Sequence, residues 1–249
     1  MQYTCGYFPI GNESIDEAQV AKFELIRNRF ENHRGSLVAK DHLDIGCGWG
    51  GLASYFSDNF KTRSVGNTNC HAQMEYAQRH FDCEIMLDDF SRLESTDRRF
   101  DLITIVGIIE HLTPSRRTHL LEVVRNLLHS DGLAYIQCIV KPSIWIGGDA
   151  YRIVQREVSP GHFLETHEQT VRRLEQSGFT VLDQSDGCHD YGLTTSRWVD
   201  NLQRNESALV ALLGSRRYRM FVGYLAFASH MFLSGRGSLM RYTIEKRNR

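Results

Sequence analysis

Net charge is nearly absent from this 249-residue chain: 29 Lys and Arg stand against 30 Asp and Glu, a formal −1. That balance provides no global field to recruit nucleic acid or an anionic membrane. A local basic patch, Arg216-Arg217-Tyr218-Arg219, reads as a solvated helix end. The six cysteines, Cys5, Cys47, Cys70, Cys83, Cys138 and Cys188, form no C-x-x-C pair, and no His/Cys set has zinc spacing. No metal site is expected, and reduced thiols in a cytoplasmic protein are the default, since no signal peptide is visible. No apolar run approaches the ~18 residues that cross a bilayer. The greasiest stretch, Met220 to Leu233, is interrupted by His230, and its bulky residues recur at helical spacing. It reads as a core or lid helix, with peripheral membrane contact as the other reading. Repeats, low-complexity tracts and linkers are also missing, so a single domain over 1–249 is expected.

Strand and helix patterns alternate along most of the chain. Ser14-Ile15-Asp16-Glu17 is a capping box, opening a helix that carries Val20, Phe23, Leu25, Ile26 and Phe30. Strands are expected to end at 43–45 and to cover 62–66, 83–87, 100–106, 132–140 and 179–184. Helices are expected at about 49–59, 70–80, 115–128 and 167–177. Phe100 to Val106 is a near-continuous apolar run, as a central parallel strand should be. This rhythm implies an α/β fold with a doubly wound, mostly parallel sheet. The tail breaks it with two helices, 194–213 and 216–234, before a last strand at 239–246 carrying Met240, Tyr242 and Ile244 on one face. The tail helices and the irregular stretch 141–165 are candidate substrate lids, because ligands gather over strand ends in such sheets.

The most informative residues are Leu43-Asp44-Ile45-Gly46-Cys47-Gly48-Trp49-Gly50-Gly51, a buried strand end, a glycine turn and a helix start. Glycine permits a sharp turn and close approach of a ligand, and the helix start offers free N–H groups and partial positive charge. Gly46, Gly48 and Gly51 satisfy the dinucleotide spacing G-x-G-x-x-G. That reading requires an acid about 20 residues on to hold the ribose. No Asp or Glu occurs between Asp58 and Glu75. Asp44, directly before the glycines, suits the ammonium group of S-adenosylmethionine, so methyltransferase is favoured over dehydrogenase.

The chain resembles the cyclopropane-fatty-acid synthase family, which includes mycolic acid methyltransferases and plant alkaloid N-methyltransferases. Tyr3-Thr4-Cys5-Gly6-Tyr7-Phe8 is similar to the family's opening Tyr-Ser-Cys-x-Tyr-Phe, and 43–53 matches its glycine turn. Thr68 and Gln73 fit Thr-Leu-Ser-x-x-Gln, Glu110-His111 fits Phe-Glu-His, and Asp190-Tyr191 precedes Trp198 as in the family. Arg219-Met220 through Tyr224-Leu225 resembles its late helix. The resemblance implies a class I methyltransferase with a seven-stranded sheet, a helical lid before the last strand, and S-adenosylmethionine as methyl donor. It implies that segment 1–32, through Tyr3 and Thr4, covers the cofactor, with 141–165 and 191–236 over the substrate. Gly46 and Gly48 would pass beside the methionine end near Asp44 and Val106. Thr68, Asn69 and Gln73 would hold the ribose, and Asp89, Phe90 and Ser91 would flank adenine, Phe90 as a flat apolar face and Asp89 as acceptor for the exocyclic amine.

In cyclopropane-forming members a bound bicarbonate is thought to take a proton after methyl transfer to an alkene. The matching ligand positions are Cys5, Glu110, Gln137, the Ile139 amide and Tyr191. Gln137 stands where the family has histidine; it keeps a donor but cannot titrate near neutral pH. Arg241 replaces an expected glutamine, and 158–165 departs from the family's Phe-Pro-Gly-Gly-x-Leu-Pro-Ser. The reading is methyl transfer to an alkene carbon of a lipid-like or specialised-metabolite acceptor. N-methylation of a small amine, with Glu110 taking the proton, and a non-catalytic cofactor-binding partner subunit stay open. His111 and the remaining cysteines read as structural, and Trp49 as packing beneath the cofactor. Acceptor identity and oligomeric state are not set by the sequence.

Overall fold

The computed structural model describes residues 2–142, 156 and 161–247. Most of the expected lid 141–165, including 158–160 of the departing motif, therefore lies outside the described residues. Among the rest, α1 (Ile15–Arg34), β1 (Asp41–Ile45), α2 (Gly51–Phe60), β2 (Arg63–Thr68), α3 (His71–His80) and β3 (Glu84–Leu87) form the first half. A short turn of 3₁₀ helix (Phe90–Ser95), β4 (Phe100–Val106), a second 3₁₀ turn (Ile109–His111), α4 (Pro114–Leu127) and β5 (Leu128–Val140) follow. Then come α5 (His167–Gln176), β6 (Phe179–Asp186), three helices α6 (Cys188–Arg204), α7 (Glu206–Leu213) and α8 (Ser215–Leu233), and β7 (Ser238–Lys246).

The seven strands run in the order β3-β2-β1-β4-β5-β7-β6, and β7 alone is antiparallel to its neighbours. The chain order reverses between β1 and β4, so a crevice opens there at the carboxyl ends of the strands. Alternation along β4 divides the core. Ile103 and Ile105 pack with Leu120, Val123, Val124 and Leu127 of α4. Leu102 and Val106 pack with Phe23, Ile26 and Phe30 of α1 and Phe56 of α2. Helices thus cover both faces.

Local chemistry sets the boundaries. At α1, the Ser14 hydroxyl accepts from the Glu17 amide and Glu17 Oε2 accepts from the Ser14 amide, closing the capping box. Val20 lies on the outer face and is exposed. The tail differs from expectation. Its first helix begins at Cys188, so Tyr191 sits in a first turn, and it stops at Arg204 before the separate α7. α6 and α8 pack closely at Gly192, where a Cβ would lie 2.6 Å from Leu233 Cγ. Likewise, β5 starts at Leu128, four residues before Gly132, with a register shift against β4 between Phe100 and Leu102.

Candidate active site

The glycine turn leaves β1 at the crevice. Gly46 has φ +71°, and a Cβ there would approach Ile108 Cδ1 to 2.3 Å. Gly48 has φ +55° and faces open space, so a side chain would project into room a ligand needs. Three cavities meet along this edge. The first, about 340 Å³, is lined by Gly46, Gly48, Thr68, Asn69, Gln73, Asp88, Asp89, Phe90 and Arg116, among others. The second, about 170 Å³, shares Gly46, Gly48 and Gln73 with it and adds Gln2, Tyr3, Thr4, Asp44, Trp49 and Val106. The third, about 160 Å³, shares Tyr3, Thr4 and Gly107 with the second, and adds Cys5, Glu110, Gln137, Ile139, Tyr191 and Tyr224.

Adenosine chemistry fits the first cavity. The Thr68 hydroxyl donates to Gln73 Oε1 at 2.8 Å, which leaves the Gln73 amide nitrogen as a donor. Asp89 Oδ1 takes the Ser91 amide at 3.0 Å and the Ser91 hydroxyl at 2.7 Å, and Arg116 Nη2 reaches Oδ2 at 2.7 Å. Against the effect of partial burial, these bonds hold the Asp89 carboxyl below its usual range. The Arg116 guanidinium also lies 4.7 Å from the centre of the Phe90 ring. Ser91 lines neither cofactor cavity; it shapes the Asp89 carboxylate from outside. The other cofactor residues expected from the sequence all line one of the two cavities.

The second cavity carries the electrostatics of a methionine end. Asp44 is buried, and burial pushes its pKa up to about 7, opposed by the Thr104 hydroxyl at 2.7 Å and by the charge of Lys22. Thr104 gives its one hydrogen to Asp44, so His42 Nε2–H must donate to Thr104, at 3.0 Å. His42 Nδ1 then accepts from Ser64 at 3.0 Å. Burial pushes the His42 pKa down to about 3, keeping that tautomer neutral. Lys22 is wholly buried, which lowers it to about 7, and its Nζ donates to Thr4 Oγ1 at 2.8 Å and Gln19 Oε1 at 2.6 Å. Gln2 Nε2 is buried with no partner among the described residues, a donor available to a carboxylate. The open face of Gly48, this orphaned donor and the Asp44 carboxyl together fit S-adenosylmethionine.

All five residues of the expected anion set line the third cavity. Their polar atoms turn largely to one another. Gln137 Nε2 donates to Cys5 O at 3.2 Å, and its Oε1 accepts from Tyr135 OH at 3.1 Å and from Arg241 Nε at 3.2 Å. The Ile139 amide donates to Glu110 Oε1 at 3.2 Å. Burial pushes the Cys5 thiol up to about 12, so it stays protonated. Glu110 is different: Oε2 is buried and has no partner among the described residues, and burial raises its pKa to about 7 despite the Ile139 amide and Arg117. Its turn is held by Arg117 Nε on Ile109 O at 2.9 Å and by the Phe163 amide on Glu110 O at 2.8 Å. His111 and His162 also line this cavity with ring centres 4.6 Å apart, and burial lowers the pKa of both.

Gln137 and Arg241 are directly opposed on β5 and β7. Arg241 Nη2 meets Asp190 Oδ2 at 2.8 Å and Gly6 O at 3.1 Å, while Asp190 Oδ1 accepts from the Phe8 amide at 2.9 Å. Gly6 N donates to Thr194 Oγ1 at 2.9 Å. Two of the three departures from the family pattern, Gln137 and Arg241, therefore form one buried clamp on residues 5–8. Beyond it, Tyr3 stacks on Trp198 with centroids 4.7 Å apart.

Lys22, Gln19, Arg116 and the His42–Thr104 relay were not anticipated from sequence. A signal existed for the first two: Gln19, Lys22, Ile26 and Arg29 share the buried face of α1 with Phe23 and Phe30. Arg116 carried none, because only the fold brings α4 beside Asp89.

Fold and site together define a class I S-adenosylmethionine-dependent methyltransferase. The family model described as "Mycolic acid cyclopropane synthetase" matches residues 1–242, and the chain belongs to that family. It is 26% identical over 262 residues to cyclopropane mycolic acid synthase 3 of Mycobacterium tuberculosis, covering 98% of this chain and 89% of that protein. It is 29% identical to the cyclopropane-fatty-acyl-phospholipid synthase of Escherichia coli, covering 90% of this chain and 57% of that one. In structure it is similar to the cyclopropane synthase MmaA2 from Mycobacterium tuberculosis, with a TM-score of 0.89, 22% identity, and 98% and 90% of the two chains covered. At that identity the structural likeness speaks for the fold alone.

Proposed function

We propose that this enzyme transfers a methyl group to an alkene carbon of a lipid-like acceptor held in the third cavity. One observation carries the reading. The buried Glu110 carboxyl, its Oε2 without a partner among the described residues, stands in an aromatic cavity that opens, at Tyr3, Thr4 and Gly107, onto the cavity that fits the methyl donor. The names of its relatives point to unsaturated lipids as acceptors.

When bound, S-adenosylmethionine supplies an electrophilic methyl on a sulfonium sulfur. Asp44 attracts the ammonium end, Thr68 and Gln73 hold the ribose, and the pinned segment 3–8 excludes water from the transfer path. Tyr3, Tyr191 and Tyr224 provide aromatic surroundings for the positive charge left on the acceptor. The acceptor must then lose a proton, and ionised Glu110 takes it at Oε2. Direct acceptance by Glu110 makes bicarbonate dispensable, because Gln137 and the Ile139 amide already hold protein partners. Incubation with methyl-labelled S-adenosylmethionine, lipid extract and an amine pool, in bicarbonate-depleted buffer, tests this by mass spectrometry. Methylated or cyclopropanated lipid is expected. Label in amines only overturns the acceptor, and a requirement for added bicarbonate overturns the role of Glu110.

A further inference from the structure

The corner between the two helices that wall the acceptor cavity has an unusual surface. α6 and α8 bring Tyr191 and Tyr224 to that cavity, and α7 joins them. The sequence of α7 is Glu206-Ser207-Ala208-Leu209-Val210-Ala211-Leu212-Leu213, and none of its residues is buried. Leu212 is 78% exposed. A run of six apolar residues, with Ala208, Ala211 and Leu212 exposed and Leu209, Val210 and Leu213 half-buried, is a liability in water unless something covers it.

The charge around α7 says what that is. Residues 201–236 hold five arginines, no lysine and a single acid, Glu206, in a chain whose net charge is −1. Arg204 precedes α7, and Arg216, Arg217 and Arg219 follow it; all four are exposed. None has a side-chain hydrogen bond or ion pair among the described residues, whereas the nearby Arg197 pairs with Asp200. The eight-residue helix is about 12 Å long, so cationic side chains flank both ends of the apolar segment at short range. Guanidinium groups beside exposed Leu212 and half-buried Leu209, Val210 and Leu213 match an anionic lipid surface, with Leu212 entering the acyl boundary and arginines on the headgroups. No helix among the described residues is long and apolar enough to cross a membrane, so contact through α7 would be peripheral.

We infer that α7 and its flanking Arg204, Arg216, Arg217 and Arg219 form a docking surface for an anionic membrane, placing the acceptor cavity against its lipid. Its purpose rests on the lipid-acceptor reading above, but its test does not. An acidic protein carrier would satisfy the arginines and leave Leu212 uncovered, so the membrane is the better match.

The full chain, without S-adenosylmethionine, is sedimented with phosphatidylcholine vesicles containing none or about a third phosphatidylglycerol. Binding should require the anionic lipid and fall between roughly 0.05 and 0.3 M salt. Arg216→Ala with Arg217→Ala should weaken it about 25-fold, at roughly 5-fold per arginine. Leu212→Ser should weaken it roughly 5-fold or more. Both variants should keep the wild-type melting temperature and turnover of a short detergent-dispersed olefin. Equal binding to neutral vesicles, or anionic binding indifferent to both variants, overturns the surface. So does an arginine defect seen only with carrier-bound substrate and not with vesicles. Vesicle docking without lipid methylation overturns the proposed acceptor and leaves the surface standing.

Discussion

Replacing Glu110 with glutamine separates function from stability, because the carboxyl is held in a place that disfavours the charged form its chemistry needs. The group is buried, and burial raises its pKa from 4.5 to about 7. The unfolded chain keeps the ordinary value. Below pH 4.5 both states hold the proton, so the native state carries no penalty from this group. Between pH 4.5 and 7 the unfolded chain ionises while the folded one does not, and stability falls as pH rises. Above 7 both are ionised, and the whole penalty, about 3 kcal/mol as an order of magnitude, is in place. Glutamine keeps an oxygen for the Ile139 amide and carries no charge to bury. Glu110→Gln is therefore expected to be more stable than the wild type at pH 8 by up to about 3 kcal/mol, a rise on the order of 6–12 °C in melting temperature. At pH 4 the two proteins should unfold alike. Activity should move the other way, falling roughly 10²–10⁴-fold for loss of a general base. The wild-type rate should climb through pH 7 to a plateau as Glu110 ionises. Denaturation at pH 4 and 8, beside a pH–rate profile, measures all of this. Equal stability at pH 8 would refute the burial argument. Near-wild-type turnover by Glu110→Gln would refute its role as proton acceptor.

Gly48→Ala should fold with about 1–2 kcal/mol of backbone strain at φ +55° and bind S-adenosylmethionine at least tenfold more weakly, read by calorimetry. Arg241→Met strands the buried Asp190 carboxylate and should lower stability by about 3–5 kcal/mol, with a higher KM for S-adenosylmethionine as residues 5–8 loosen. Adding Asp190→Asn should recover part of that loss, and strict additivity would contradict the clamp. Gln137→His removes the bonds to Cys5 O and Arg241, so it should cost about 1–3 kcal/mol without raising cyclopropane yield; a raised yield would restore position 137 as a proton relay.

Much of the fold is local and was legible. The Ser14–Glu17 box, the apolar run of β4 and the glycine turn act over a few residues, and periodicity of 3.6 or 2 shows which face each element buries. Boundaries in the tail were less legible, because Asn205 divides two helices of continuous helical pattern, and Gly187 opens α6 without a side-chain cap. The cofactor cradle could be read from Asp44, Gly46, Gly48 and the acid-free stretch after β2, since the turn at its centre is built by consecutive residues.

What only tertiary structure decided is where polar atoms end. The sequence showed Gln137 and Arg241 as two unrelated departures from a family pattern. The antiparallel pairing of β5 with β7 sets them side by side, and Asp190 and residues 5–8 close the clamp from a distant helix and the far end of the chain. Glu110 was visible as a carboxylate after a buried strand. That one of its oxygens stays without a partner among the described residues depends on packing by α4, segment 161–165 and β5, which no local pattern encodes. Short-range preference determines elements and turns. The buried pairing of charges and donors is a property of the folded whole.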